Sequence, residues 1–141
     1  MISPESLPVI SQAIRDAVAP VFLITGVGSI MGVLTNRLAR AVDRYRRLSE
    51  LDEAVLTTAL RVEITTIALR IRWMRRAIAL CTLSALSVCL SIAAMFIAVV
   101  FGTHISQVVA ILFIAAMAAL ISGLLCFLTE IVLATKEVLD T

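Results

Sequence analysis

The sequence predicts an all-α membrane protein with three transmembrane helices and a cytoplasmic helical hairpin between the first two. Three observations indicate this fold class. Hydrophobic residues make up 61% of the 141-residue chain and charged residues 16%, whereas soluble domains average about 45–50% and about 25%. Three long stretches carry no charge, and arginines are concentrated between the first two of them. We therefore treat residues 1–141 as a single integral-membrane domain.

The three uncharged stretches, about 17–35, 77–101 and 105–129, contain 19, 25 and 25 residues. A bilayer core of about 30 Å requires about 20 helical residues, so each stretch predicts a transmembrane helix. A soluble protein would need three fully apolar core helices, with too little chain left to cover them. The apolar spacing over residues 8–18 predicts either a short amphipathic helix on the outer surface or an outward extension of the first span.

The orientation follows from the segment of residues 36–76, which we call the arm. It contains ten of the chain's 12 Lys and Arg residues. Because Lys and Arg are retained on the cytoplasmic side of membranes, we expect the arm and the C-terminus to be cytoplasmic and the N-terminus to be outside. The sequence thus predicts a multi-pass membrane protein in this orientation.

Three glycines in the stretch TGVGSIMGV, residues 25–33, raise the question of a nucleotide-binding loop. Their spacing is one residue longer than the G-x-G-x-x-G fingerprint, and no predicted strand precedes them. The stretch lies in the middle of the first span, where irregular backbone would be exposed to lipid. Gly28 and Gly32 instead share one helix face, which favours close packing against another helix.

Small polar residues continue this pattern in the second span, at Ser84, Ser87 and Ser91. Close helix packing is one interpretation of this stripe. The alternative is a hydroxyl-lined path for water or ions. We favour packing, because such paths normally contain ionisable groups at depth and none lies within the three spans.

The arm contains no Gly or Pro, and its residue pattern predicts two helices. Ser49 is interpreted as the N-cap of the second helix, with Asp52 and Glu53 in its first turn. That helix has an apolar seam with alternating spacings of four and three, and a second apolar row flanks it. The first arm helix is too short to cover both rows, so we expect another chain, either a second copy or a partner subunit, to contact the seam or its flanking row. The seam is formed by Leu60, Ile64, Ile67, Ile71 and Met74.

The arginines of the arm predict topology and contact with anionic lipid headgroups. The chain has only one Tyr and one Trp, too few for a stacking platform, so nucleic acid is not an expected partner. The residues assigned to this role are Arg37, Arg40, Arg44, Arg47, Arg70, Arg72, Arg75 and Arg76.

Few residues suggest catalytic chemistry. The one histidine, His104, has no Cys, Asp or Glu beside it, so we expect no metal site, no cofactor and no enzymatic activity. Glu130 ends the third span, at the depth of Arg76 on the second. We expect an ion pair between Glu130 and Arg76 or Arg75 that stabilises the hairpin of spans. The alternative is a carboxylate that takes part in proton transfer.

Three segments resemble the bacterial family filed as domain of unknown function 2721: AVAPVFLITGVGSIMGVLTNRLARAVDR, RRAIALCTLSALSVCLSIA and GLLCFLTEIVLAT. The resemblance extends from about residue 17 to 135. It implies a small three-span protein of the bacterial inner (cytoplasmic) membrane without an assigned activity, and it supplies no catalytic residue. The residues that carry it are Pro20, Gly26, Asn36, Arg37, Arg40, Arg76 and Glu130.

Together these features predict an oligomeric scaffold or an accessory subunit of a membrane complex. The expected partners are the lipid bilayer and either further copies of the chain or a larger membrane complex. The alternative function is a homo-oligomeric channel or transporter with a serine-lined path.

Overall fold

The computed structural model describes residues 6–139. This part of the chain forms three helices and contains no β-strand: α1 (Ser6–Ser49), α2 (Thr58–Phe101) and α3 (Ser106–Leu139). Each is long and apolar enough to cross a membrane. The predicted fold class is therefore confirmed, whereas the side of the membrane on which the arm lies stays a prediction. The C-terminal residue, which we expect to be cytoplasmic, lies outside the described residues.

Helix α1 joins the first span to the segments on both of its sides. It begins at Ser6 and continues through Pro20 to Ser49. Pro8 lies in its first turn, where a missing amide donor costs no helical hydrogen bond. Of the two interpretations of residues 8–18, the structure supports a helical extension of the first span, whereas the outward direction of this extension stays a prediction.

The start of the second arm helix differs from its predicted position. Ser49 is the last residue of α1, and its hydroxyl donates to the Arg46 carbonyl at 2.9 Å. Asp52 and Glu53 accept backbone hydrogen bonds within a turn rather than beginning a helix. The N-cap of α2 is Thr57, whose hydroxyl accepts a hydrogen bond from the Leu60 amide at 3.4 Å. The predicted N-cap at Ser49 is therefore wrong, although the helical hairpin itself is present.

The short connection between α2 and α3 depends on one glycine. Gly102 has a φ of 64°, a left-handed conformation that residues with a Cβ rarely adopt. The amide of Thr103 donates to the Ala98 carbonyl at 3.1 Å. This is the bond expected when a glycine ends a helix in a Schellman motif, and it allows α3 to begin at Ser106.

Contacts divide the chain into two compact units. Unit 1 comprises Met1–Ser29 and Cys81–Leu120, and unit 2 comprises Ile30–Leu80 and Ile121–Thr141, as far as the described residues extend. Each unit contains a segment of all three helices. The interior of unit 1 is formed by apolar and small side chains, including Val27, Cys81, Val88 and Ala116. The interior of unit 2 includes Leu34, Met74, Ala77 and the charged residue Glu130.

The buried positions of α2 follow spacings of four and three, the period of a helix packed along one stripe. The stripe includes Ile67, Met74, Ala77, Cys81, Ser84, Val88 and Ser91. Within the predicted seam, Ile67 and Met74 are thus covered by the chain itself, and Leu60, Ile64 and Ile71 are half-buried. The flanking row differs, because Val62 is 61% exposed and Leu69 is 38% exposed. Contact of either row with another chain stays a prediction.

Candidate functional site

A fully buried carboxylate is the most unusual feature of unit 2. Glu130 lies on α3 with none of its surface exposed, directly after the uncharged stretch 105–129. Isolated burial of a carboxylate is very unfavourable, so a buried Glu requires partners of opposite charge. Two arginines from different helices provide them.

Arg70 of α2 donates to Glu130 Oε1 from both Nε, at 3.2 Å, and Nη2, at 3.1 Å. Arg37 of α1 donates from Nη2 to the same oxygen at 3.3 Å, and this nitrogen also lies 3.0 Å from Oε2. Oε2 itself accepts no well-directed hydrogen bond from the described residues. The three side chains link α1, α2 and α3 within unit 2, and we call them the Glu130 cluster.

The predicted partners of Glu130 were wrong. Arg75 and Arg76 are exposed, and the Arg76 guanidinium lies 5.2 Å from the centre of the Trp73 ring. Depth in the membrane placed Arg76 level with Glu130, but depth does not determine which helix face a residue occupies. Arg70 falls on the stripe that contains Met74 and Ala77, four and seven residues later, and Arg76 does not.

Both other members of the cluster also continue the buried stripe of their helix. Arg37 follows the buried Leu34 by three residues, and Glu130 follows the half-buried Phe127 by three. The Arg37 guanidinium lies 5.6 Å from the centre of the Phe127 ring, a cation–π contact. This ring and the carboxylate together restrict the orientation of Arg37.

A cavity of about 470 Å³ lies beside the cluster in unit 2. Arg37, Arg40 and Arg44 contribute to its wall from α1, and Arg70 contributes from α2. Glu63 also lines the cavity and pairs with Arg44, whose Nε and Nη2 donate to Glu63 Oε1 at 3.0 and 2.7 Å. The remaining lining residues are Ala41 and Ile67. We call this space the arginine cavity.

The structure separates the eight arginines assigned to headgroup contact into two groups. Arg37, Arg40, Arg44 and Arg70 line the arginine cavity. The other four are exposed and do not contribute to its wall: Arg47, Arg72, Arg75 and Arg76. The spacing of three, four and three places Arg37, Arg40, Arg44 and Arg47 on one helix face, but it does not separate Arg47 from the other three, so the sequence did not predict this division.

The glycines of the first span have no close neighbour within the described chain. Gly28 and Gly32 are exposed, and a Cβ added at either position would meet no atom within 4 Å. A helix that packs closely on this face would therefore belong to another molecule. The serines of α2 behave differently, since Ser84 and Ser91 are buried in unit 1 and Ser87 is half-buried.

A second cavity, of about 660 Å³, lies in unit 1. Its wall is mainly apolar and includes Met95 and Phe113, with Asp16, His104 and Ser91 as polar members. Asp16 accepts a hydrogen bond from Gln12 at 2.9 Å. Among the described residues, no group of three His, Cys, Asp or Glu side chains is placed to hold a metal ion.

A family model described as "Protein of unknown function (DUF2721)" matches residues 17–139. The chain belongs to the DUF2721 family. The matched segment contains all of the Glu130 cluster and the arginine cavity. No curated protein and no solved structure matches this DUF2721 chain.

The chemistry available to this DUF2721 protein in unit 2 is electrostatic. Two guanidinium groups face one carboxylate in the Glu130 cluster, so the cluster carries a net positive charge. The carboxylate holds its arginines by hydrogen bonds from two helices. The cluster can therefore present positive charge in a defined position next to a cavity.

Proposed function

We propose that this protein is a non-catalytic, oligomeric scaffold or an accessory subunit of a membrane complex. The observation that carries the proposal is the apolar row that the arm leaves exposed. On α2, Val62 is 61% exposed and Leu69 38%, and Val55, in the turn before α2, is 56% exposed. Apolar side chains grouped in this way in water usually mark a surface that another protein covers.

If α2 leaves the membrane as one helix, lipid tails do not reach Val62, the member of this row that lies farther from the uncharged stretch. Leu69 and Val62 precede the uncharged stretch that begins at Ala77 by eight and 15 residues. At a rise of about 1.5 Å per residue, these separations correspond to about 12 and 22 Å along the helix. A helix tilted by about 20°, the usual value, reduces them only slightly. Protein is then the apolar surface available to Val62.

The open glycine face of α1 supports the same proposal from within the membrane. Small residues allow close approach of a second helix, and in lipid such packing stabilises association without a hydrophobic driving force. Because the described chain places nothing against Gly28 and Gly32, this face is available to a second copy or to a partner subunit.

A channel or transporter is the alternative. Its serine-lined path would require Ser84, Ser87 and Ser91 to face a common aqueous axis. Ser84 and Ser91 are 0% and 2% exposed inside unit 1, and the Ser91 hydroxyl donates to the Val88 carbonyl at 2.7 Å. Their burial supports the scaffold over a path between copies.

The test compares two double variants of the exposed row. Val62→Gln with Leu69→Gln makes the row polar, whereas Val62→Ile with Leu69→Ile keeps it apolar and serves as the matched control. Full burial of one such side chain contributes about 1.5–3 kcal/mol. Because Val62 and Leu69 are 61% and 38% exposed, their burial together contributes about this amount, and the polar variant should weaken association about 10- to 100-fold. Native mass spectrometry in a mild detergent measures the copy number and any copurified subunit. Equal assembly of the two variants would contradict the proposal.

A further inference from the structure

The arginine cavity has a composition that differs from an ordinary solvated arm. Its α1 wall is formed by residues three, four and seven positions apart, Arg37, Arg40, Ala41 and Arg44, which share one helix face. Its α2 wall repeats this geometry with Glu63, Ile67 and Arg70. A volume of about 470 Å³ lies within the range of small-ligand sites.

The charges at the cavity do not balance. Four arginines line it, and only two carboxylates pair with them. Glu130 takes Arg37 and Arg70, and Glu63 takes Arg44. Arg40 forms no ion pair or hydrogen bond with the described residues. The net charge of this group is therefore +2, from four guanidinium groups and two carboxylates.

Two of the cations, Arg37 and Arg70, are held by fixed partners, whereas Arg40 is exposed. Glu130 is buried and anchors Arg70 through two nitrogens. Arg37 engages Glu130 through Nη2 and the Phe127 ring through its face, and its Nε and Nη1 form no hydrogen bond with the described residues. Preorganised guanidinium groups with unused donors match the geometry of phosphate oxygens, which they bind with two parallel hydrogen bonds.

The cavity also lies at a depth where phosphate groups occur. Arg37 is two residues beyond the last residue of the first uncharged stretch, Thr35, which corresponds to about 3 Å of helix rise. Arg44 is nine residues beyond it, or about 13 Å. The headgroup layer extends about 5–8 Å from the hydrocarbon core. By this measure Arg37 lies within this layer, and Arg44 lies beyond it.

We propose that the arginine cavity is a binding site for a phosphate group. Arg40 provides the unpaired charge, and the available donors of Arg37 complete the coordination beside it. Glu130 is a positioning residue, because it holds Arg37 and Arg70 without touching the ligand. The phosphate belongs either to an anionic lipid headgroup or to a soluble molecule.

The central variant is Arg40→Gln, and Arg72→Gln is its matched control. Both substitutions remove one charge from an exposed residue, but Arg72 does not line the cavity. Arg40→Lys keeps the positive charge but loses the planar guanidinium group, which can donate two parallel hydrogen bonds. Because Arg40 is exposed and forms no ion pair or hydrogen bond with the described residues, the variant should insert and fold, which circular dichroism and the unfolding midpoint verify.

Two experiments distinguish the sources of phosphate. In the first, native mass spectrometry counts lipid adducts from bilayers of phosphatidylcholine alone and from bilayers with added phosphatidylglycerol or phosphatidic acid. In the second, calorimetry measures binding of inorganic phosphate to the protein in an uncharged detergent, with chloride at equal ionic strength as reference. We expect Arg40→Gln to lower affinity about tenfold or more, Arg40→Lys to be intermediate, and Arg72→Gln to remain within about twofold of the original protein.

Each outcome has a defined meaning. An effect of Arg40→Gln on anionic lipid alone supports a headgroup site, and an effect on inorganic phosphate as well supports a site that also admits soluble phosphate. Equal losses in Arg40→Gln and Arg72→Gln would show general surface attraction and overturn the proposal. Binding of neither probe above the phosphatidylcholine or chloride reference would overturn it as well.

Discussion

The Glu130 cluster makes an asymmetric prediction about stability. Removal of both arginines, in Arg37→Gln with Arg70→Gln, leaves a carboxylate with no exposed surface and no cation. Removal of the carboxylate, in Glu130→Gln, leaves two guanidinium groups whose side chains are 30% and 22% exposed. The arginines can therefore regain water or headgroup contacts, and the carboxylate cannot. We expect the double arginine variant to be the less stable of the two.

The magnitudes follow from the geometry. At 3.0 Å and an effective dielectric constant of about 20, one such pair has a Coulomb energy of about 5 kcal/mol. Desolvation of the ions offsets most of this attraction, and partial exposure of both arginines screens it further. An unpaired buried charge nevertheless costs about 3–5 kcal/mol. Loss of Glu130 should cost less, about 1–3 kcal/mol, the usual contribution of hydrogen bonds to a charged group.

The assay is equilibrium unfolding in mixed micelles of a mild and a denaturing detergent. The emission of Trp73, the chain's one tryptophan, and circular dichroism provide two probes of the same transition. Addition of Glu130→Gln to the double arginine variant should restore about 2 kcal/mol, because it removes the unpaired carboxylate. If the triple variant were no more stable than the double variant, or if Glu130→Gln were the most destabilised, the ion-pair account of this cluster would be wrong.

Two further predictions concern assembly and topology. Gly28→Ile or Gly32→Ile should lower the association constant about tenfold or more. The control is Ala19→Ile, an exposed small-to-large change on the opposite side of α1 from Gly28, which should leave association unchanged. Unchanged mass distributions for both glycine variants would contradict the packing interpretation. A Ser49→Cys variant whose native cysteines are replaced should react with a membrane-impermeant thiol reagent only after the cytoplasmic side is opened, because we expect the arginine-rich arm to be retained there. Labelling of this cysteine in intact cells would show that the arm lies outside.

The helices were predictable because the bilayer imposes a simple requirement. A run of 19 to 25 residues without charge has few alternatives to a spanning helix. The first two runs lie inside α1 and α2, and the third lies inside α3 except for its first residue, Ile105. The helix boundary in the arm was not predictable in the same way. Ser49 followed by Asp52 and Glu53 has the composition of a helix start, but the same residue types also stabilise turns. The turn formed, and Thr57 became the cap.

The partners of Glu130 were missed for a different reason. Pairing by depth uses only the distance of a residue along its helix from the turn that connects α2 and α3. This distance does not specify on which face of the helix the residue lies. The face was available in the four-three spacing that extends from Ala77 and Met74 to Arg70. The same spacing extends from Leu34 to Arg37. Depth and face together would have selected residues of the buried stripes and excluded Arg76.

The ratio of charges in the cluster connects its structural role to the proposed phosphate site. One arginine would be enough to compensate one buried carboxylate, and a second adds the cost of desolvating another ion. The cost is lower if an anion also approaches from the cavity side, because each arginine then has a negative group on two sides. Arg40, which lacks a partner among the described residues, adds a further positive charge to the cavity wall and increases its attraction for an anion. The excess of cations beside Glu130 is thus better explained by an anion in the arginine cavity than by stabilisation of three helices alone.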